Sequence, residues 1–368
     1  MTKSISPPIT TSIRAGWVLS SLGLLVLLSG CQSFTSVKSS LPAPVATHEF
    51  FFDSTRDDVV GTVQIIKAHE QDTFPDIARR FNVGFEEMVS ANPGVSPWLP
   101  RAGTEIVIPT QFVLPDAPRT GIVVNLAAMR LFYFPQAKSG EPQRVITHPL
   151  GIGRVEWKTP VGTTKIVAKT EAPAWIPTAS IRKEHAAEGD VLPAVVPPGP
   201  DNPMGTHALR LGWPKYSIHG TNKPPSIGLR GSHGCLRMYP EDIVRLFDEV
   251  PVGTPVRVVN QPTVFGWRGS TLYVQAYPVL EDDKRDQAKL IKKALSAALE
   301  SSQSEFDTRA QLAIDQSALD AVTEQPRAIA IPIIQPGLTL QAYLARAMRV
   351  ENILPPNATA AGDAVDQN

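Results

Sequence analysis

Ser217-Ile218-His219-Gly220-Thr221 and, after residues 222–231, Ser232-His233-Gly234-Cys235-Leu236-Arg237-Met238 carry the densest chemistry in this 368-residue chain. A thiolate is a strong nucleophile, and a neighbouring imidazole lowers a thiol pKa and relays its proton. Two imidazoles are at hand. His233 lies on the same turn as Cys235, and His219 ends a strand from which it reaches across. Gly220 and Gly234 let backbone approach a substrate closely. The N–H groups around Gly234 and Cys235 suit a developing oxyanion. Arg237 is always charged and forked, which suits a substrate carboxylate. Two plainer readings compete. His219, His233 and Cys235 can be imagined around zinc, but no fourth ligand is evident. A buried inert cysteine is the commonest fate of a free thiol, and the flanking histidines and glycines argue against it. His48, His69, His148, His185 and His207 are read as surface or packing residues.

Around this stretch, short apolar runs separated by Gly and Pro point to a mainly β domain over residues 119–262. The runs are Ile122–Asn125, Arg130–Phe134, Thr163–Val167 and Ala208–Leu211, with Thr254–Val259 as a closing strand. After Tyr239-Pro240, the stripe Ile243, Leu246, Phe247 and Val250 predicts one core-facing helix.

Residues 61–110 read as strand, helix, helix, strand. Val63–Ala68 is the first strand. Thr73 caps a helix whose Phe74, Ile77, Ala78 and Phe81 share a face. A second helix carries Phe85, Met88 and Val89 and stops at Asn92-Pro93-Gly94, before the strand Thr104–Pro109. Residues 263–368 form a C-terminal extension. Phe265–Trp267 and Leu272–Tyr277 flank Arg268-Gly269-Ser270 as a hairpin, and Leu290, Ile291, Ala294, Leu295, Ala298 and Leu299 form a helical stripe. A short helix is expected from Thr339 to Val350, and the small, polar tail Asn357–Asn368 is expected to be disordered.

Composition narrows the function classes. Lys+Arg and Asp+Glu are 35 each, so the net charge is zero, unlike the basic excess of a nucleic-acid binder. Only two cysteines, Cys31 and Cys235, exclude a disulfide scaffold. Residues 1–31 join the basic Lys3 and Arg14 to an uncharged apolar run, Ala15–Gly30, shorter than a spanning helix needs. Residues 32–60, rich in Ser, Pro and Thr, read as a tether.

Three resemblances follow from these residues. Leu28-Ser29-Gly30-Cys31 resembles the bacterial lipobox. That resemblance implies lipidation of Cys31, and Gln32 after it implies the periplasm, on the outer membrane. Asp72-Thr73, Ile77-Ala78, Asn82-Val83, Asn92-Pro93 and Ile106–Pro109 resemble a LysM domain, which implies binding to peptidoglycan glycan. His219-Gly220 with Ser232-His233-Gly234-Cys235 resembles the signature of the YkuD-type L,D-transpeptidases, most of all the Gram-negative lipoprotein-attaching branch, where Arg often stands at the position of Arg237. Thr159–Gly162, Pro200–Gly205 and Tyr239–Asp242 extend the match.

The last resemblance implies a sandwich- or barrel-like β catalytic domain that needs no cofactor or metal. Cys235 would be the nucleophile and His219 the base, with its ring oriented by the Gly220 carbonyl. His233, Gly234 and Cys235 would shape the oxyanion hole, and Arg237 and Ser232 would touch substrate. The implied reaction displaces D-Ala from a peptidoglycan tetrapeptide stem. A thioester forms and passes to a diaminopimelate amine or to the terminal lysine of a Braun-type lipoprotein. Water as acceptor, giving a carboxypeptidase or a lipoprotein-releasing enzyme, and a non-catalytic LysM wall-binding lipoprotein are the alternatives.

Overall fold

The structure, a computed structural model, describes residues 48–137, 141–300 and 313–354. The apolar runs assemble into one nine-stranded sheet. From edge to edge it runs Glu49–Phe52, Gln143–Pro149, Arg130–Phe134, Gly121–Asn125, Pro255–Val259, Gly162–Glu171, His207–Leu211, Ser217–His219 and Leu236–Arg237. Gly162–Glu171 belongs to both halves. Its start pairs with Pro255–Val259 and its end with His207–Leu211, and the register slips between Ile166 and Ala168. Such a slip bends a strand and sharpens its twist. The expected mainly β domain is therefore one bent sheet.

Seven α-helices lie among the described residues: α1 (Phe74–Arg80), α2 (Phe85–Ala91), α3 (Ala179–Ala187), α4 (Pro240–Glu249), α5 (Gln287–Glu300), α6 (Gln316–Glu324) and α7 (Leu340–Leu344). None is long and apolar enough to cross a membrane. Helix α4 starts with proline in its first turn, where no N–H is needed. It lays Ile243, Leu246 and Phe247 on the sheet core of Ile122, Leu131, Ile166, Leu209, Ile218 and Leu236.

Residues 64–108 fold as the pattern predicts. Gln64–Lys67 and Glu105–Ile108 pair antiparallel around α1 and α2. Thr73 Oγ1 accepts from the Asp76 N–H at 3.4 Å, and Phe74, Ile77, Phe81, Met88 and Ile106 fill the interior. The sequence does not announce a third strand. Met348–Arg349 runs parallel to Gln64–Ile65, Val350 is fully buried, and Asn352 Nδ2 donates to the Lys67 carbonyl and to Asp72. The helix expected from Thr339 to Val350 therefore ends at Leu344, because the chain beyond it finds partners along an open strand edge. The hairpin Thr263–Arg268 and Thr271–Ala276 is present, with Ile331–Pro332 as a third strand and Ile291, Leu295 and Leu319 of α5 and α6 against it.

The tether needs correction as well. From His48 onward it is built into the fold. Glu49–Phe52 pairs with Gln143–Ile146, and Val59–Gly61 pairs with Gln111–Val113, because the apolar Phe52, Val59 and Val60 are buried there. Residues 1–47, including Cys31, and the tail 357–368 lie outside the described residues.

The 64–108 module is joined to the sheet by a buried ion pair. Arg130, in a central strand, donates through Nη2 to Glu87 Oε2 at 2.7 Å and through Nε to Oε1 at 3.1 Å, and neither side chain is more than 5% exposed. Arg130 Nη2 also donates to the Asn82 carbonyl, and Glu87 Oε2 accepts from the Gly84 N–H that opens α2. Removing one partner strands a charge in a dry site. Arg130→Ala should lower unfolding stability by about 3–5 kcal/mol in urea titrations. Arg130→Met combined with Glu87→Leu should recover most of that, short of about 1 kcal/mol for the lost helix cap.

Candidate active site

Ser217–His219 and Leu236–Arg237 lie side by side and parallel, with Ile218 opposite Leu236 and His219 opposite Arg237. Side chains alternate across a strand. Ile218 and Leu236 enter the core, and Ser217, His219, Cys235 and Arg237 face the other way, into a cavity of about 800 Å³ that all four line. Cys235 is half-buried. Its Sγ lies 3.6 Å from Ser217 Oγ and 3.6 Å from the Lys215 carbonyl, which accepts the thiol proton. Ser217 shares the face of His219 by strand alternation, a signal already present in the sequence.

His219 is buried, and its Nδ1 lies 2.7 Å from the Gly220 carbonyl. That acceptor places the proton on Nδ1 and leaves Nε2 with the lone pair. Burial pushes the imidazole pKa down to about 4. The Arg237 charge adds to this, and the backbone groups of Gly220 and Met204 only partly offset it. At neutral pH the ring is uncharged. Met204 reaches His219 through a turn tied by Asn202, whose Oδ1 accepts from the Met204 N–H and whose Nδ2 donates to the Pro173 carbonyl. This gives the Pro200–Gly205 motif a structural purpose.

Arg237 is half-buried, and no side-chain hydrogen bond or ion pair holds its guanidinium among the described residues. Burial lowers its pKa, and the nearby Cys235 acts in the opposite direction. A cation left without a counter-charge in a cleft is ready for an incoming carboxylate.

The turn between the two strands carries three of the expected residues. Gly234 has φ +100, and a Cβ there would stand 2.8 Å from Tyr216 Cε1, so glycine is required. Its N–H donates to Ser232 Oγ at 3.1 Å, which removes it from the oxyanion donors. Ser232, expected to touch substrate, is 2% exposed. Its hydroxyl also donates to the Cys235 carbonyl at 2.6 Å, so it ties the turn together. His233, expected at the oxyanion hole, lines the same cavity on the side of α3. Its ring packs edge-on to Trp157, with Nε2 3.4 Å from Glu184 and 3.3 Å from Arg154.

Sequence reasoning missed α3 altogether. It sits in the excursion between the strands Gly162–Glu171 and His207–Leu211 and forms a wall of the cavity with Trp175 and Ile181. Glu184 fastens it by pairing with Arg154 and accepting from Trp157 Nε1 at 3.2 Å. No local pattern marks Glu184, whose partners are distant in the chain.

The L,D-transpeptidase catalytic domain family, YkuD, matches residues 119–258. The chain is 45% identical over 232 residues to the probable L,D-transpeptidase YbiS of Escherichia coli (strain K12), covering 62% of this chain and 72% of that protein. It is 41% identical over 255 residues to the probable L,D-transpeptidase YcfS of the same strain, covering 68% and 78%. A crystal structure of an Enterococcus faecium L,D-transpeptidase is 24% identical with a TM-score of 0.30, covering 42% of this chain and 55% of that one. With this site and these relatives, the chain belongs to the YkuD family of L,D-transpeptidases and is an enzyme of that class.

Proposed function

We propose that the enzyme acts on peptidoglycan tetrapeptide stems through a thioester on Cys235. One observation carries this reading. A half-exposed thiol and a neutral imidazole, its Nδ1 committed to the Gly220 carbonyl, open into one cavity beside an unpaired arginine. His219 Nε2 takes the thiol proton as sulfur attacks the carbonyl of the third stem residue, meso-diaminopimelate. The Cys235 N–H faces the oxyanion, and Arg237 receives a stem carboxylate. The tetrahedral intermediate then collapses. D-Ala leaves with the proton returned by the imidazole, and the thioester remains. An amine resolves it, either a second diaminopimelate, giving a 3→3 cross-link, or the terminal lysine of a Braun-type lipoprotein.

The placement of the enzyme is part of the same proposal. Lipid on Cys31 would hold it in the periplasm at the outer membrane, and the 61–110 segment would grip glycan as a LysM module. The strand-helix-helix-strand order and the internal core of that segment support this reading.

The deciding experiment incubates wild type and Cys235→Ala with a tetrapeptide muropeptide and weighs the products. Dimers lacking D-Ala, or adducts to an added lipoprotein, are expected from wild type alone. Trimmed tripeptides would make water the acceptor, and no turnover would leave a wall-binding protein. Arg237→Gln should raise KM about 10- to 100-fold, the loss of one charge-assisted bond. It should also raise the thermal midpoint, because a half-buried unpaired cation is removed.

Below pH 6.5 the unfolded chain protonates residue 219, and the folded protein does not until about pH 4. Stability conferred by the neutral ring is therefore complete above the first value and lost as pH falls to the second. Over that range wild type should lose about 3 kcal/mol more than His219→Gln in urea titrations.

A further inference from the structure

The reading of Cys235 as nucleophile raises the question of what holds its segment still. The chain leaves His219, runs out through residues 220–231 and returns to the catalytic turn. At its far point, Gly228 lies against the small module, backbone on backbone. Phe85 N–H donates to the Ile227 carbonyl at 3.2 Å, and Glu86 N–H donates to the Gly228 carbonyl at 3.3 Å. On its other side, Gly228 N–H donates to the Leu150 carbonyl of the catalytic domain at 3.1 Å. Gly228 has φ +84, and a Cβ there would lie 2.1 Å from the Phe85 nitrogen and 2.6 Å from Gly84 Cα. Only glycine permits this clamp. Beyond it, Arg230–Ser232 pairs with Ile152–Gly153 and leads into the turn.

The other side of Cys235 is fastened to the same stretch of the module. Tyr239, fully buried, donates its hydroxyl proton to the Val83 carbonyl at 3.2 Å. Asp242, in the first turn of α4, accepts from Asn82 Nδ2 at 2.9 and 2.7 Å and lies 3.1 Å from the ring of the buried His148. Arg79 forms a two-pronged pair with Glu241, but both are exposed, and such pairs contribute little. The Arg130–Glu87 pair holds the stretch itself against the sheet.

We propose that residues 79–87 are a positioning element for the catalytic turn, fixing the Cys235 segment at Gly228 before it and at Tyr239 and Asp242 after it. The module would then set the geometry of attack as well as grip the wall. A module that only tethers raises local substrate concentration and affects polymeric substrate alone. A brace also affects a small substrate that the module never touches, since a misplacement of about 1 Å can cost about 100-fold in rate.

The experiment uses the full chain as wild type, Gly228→Ala, Gly84→Ala and Tyr239→Phe, each checked by thermal unfolding and near-ultraviolet dichroism. D-Ala release is measured from a sugar-free tetrapeptide, and binding is measured on intact sacculi. Gly84→Ala and Tyr239→Phe should lower kcat on the sugar-free stem by about tenfold with KM within about twofold, and Gly228→Ala should lower it by about 100-fold. Sacculus binding by Gly228→Ala and Tyr239→Phe, both outside the module, should not change. If Gly228→Ala does not fold, the two milder variants decide.

Alkylation of Cys235 by iodoacetamide, located by peptide mass, reads the same geometry without turnover, and its rate should shift in the same variants. Folded variants that match wild type in both stem turnover and alkylation overturn the proposal. A wild type that never releases D-Ala overturns the functional reading instead, and the alkylation arm still tests the brace.

Discussion

The site depends on two short strands lying parallel. Antiparallel neighbours can be joined by a tight turn, but parallel ones cannot. Because Ser217–His219 and Leu236–Arg237 run in the same direction, the chain must make an outward journey between its imidazole and its thiol. That journey gives the rest of the molecule something to hold. The strand pair Arg230–Ser232 with Ile152–Gly153 and the contacts at Gly228 are ways of making a long connection behave as a rigid one.

Charge is handled differently on the two sides of the molecule. Arg130 is wholly buried and fully answered by Glu87, Asn82 and Thr147, so it joins one part of the fold to another. Arg237 sits in the cleft with nothing answering it among the described residues, beside an imidazole that it helps keep neutral. One cation has had its desolvation met by the fold, and the other is left unanswered in the cleft. The Arg154–Glu184 pair is a third case, fastening a wall of the cavity at a half-exposed site where solvent competes.

Much of this was legible because it is local. Short apolar runs between Gly and Pro mark the central strands and the hairpin, and apolar residues at helical spacing mark α1, α2 and α4. The histidine, glycine and cysteine residues named the chemistry before any geometry. Long-range pairing was not legible. Glu49–Phe52 looked like part of a tether because its partner strand lies near residue 145. Met348–Arg349 looked helical because its partners lie near residue 64. Residue type alone marks Ser232 and His233, and it does not say that a hydroxyl will tie a turn or that a ring will rotate toward Glu184.

The strand at Met348–Arg349 has a consequence for how the protein is made. A module begun near residue 64 cannot close its sheet until residues near 350 have been synthesised, so its final form waits for almost everything between them. Contacts of such sequence separation fold slowly. During that interval the edge of Gln64–Lys67 lies open, a surface on which a nascent chain invites chaperones or mispairing.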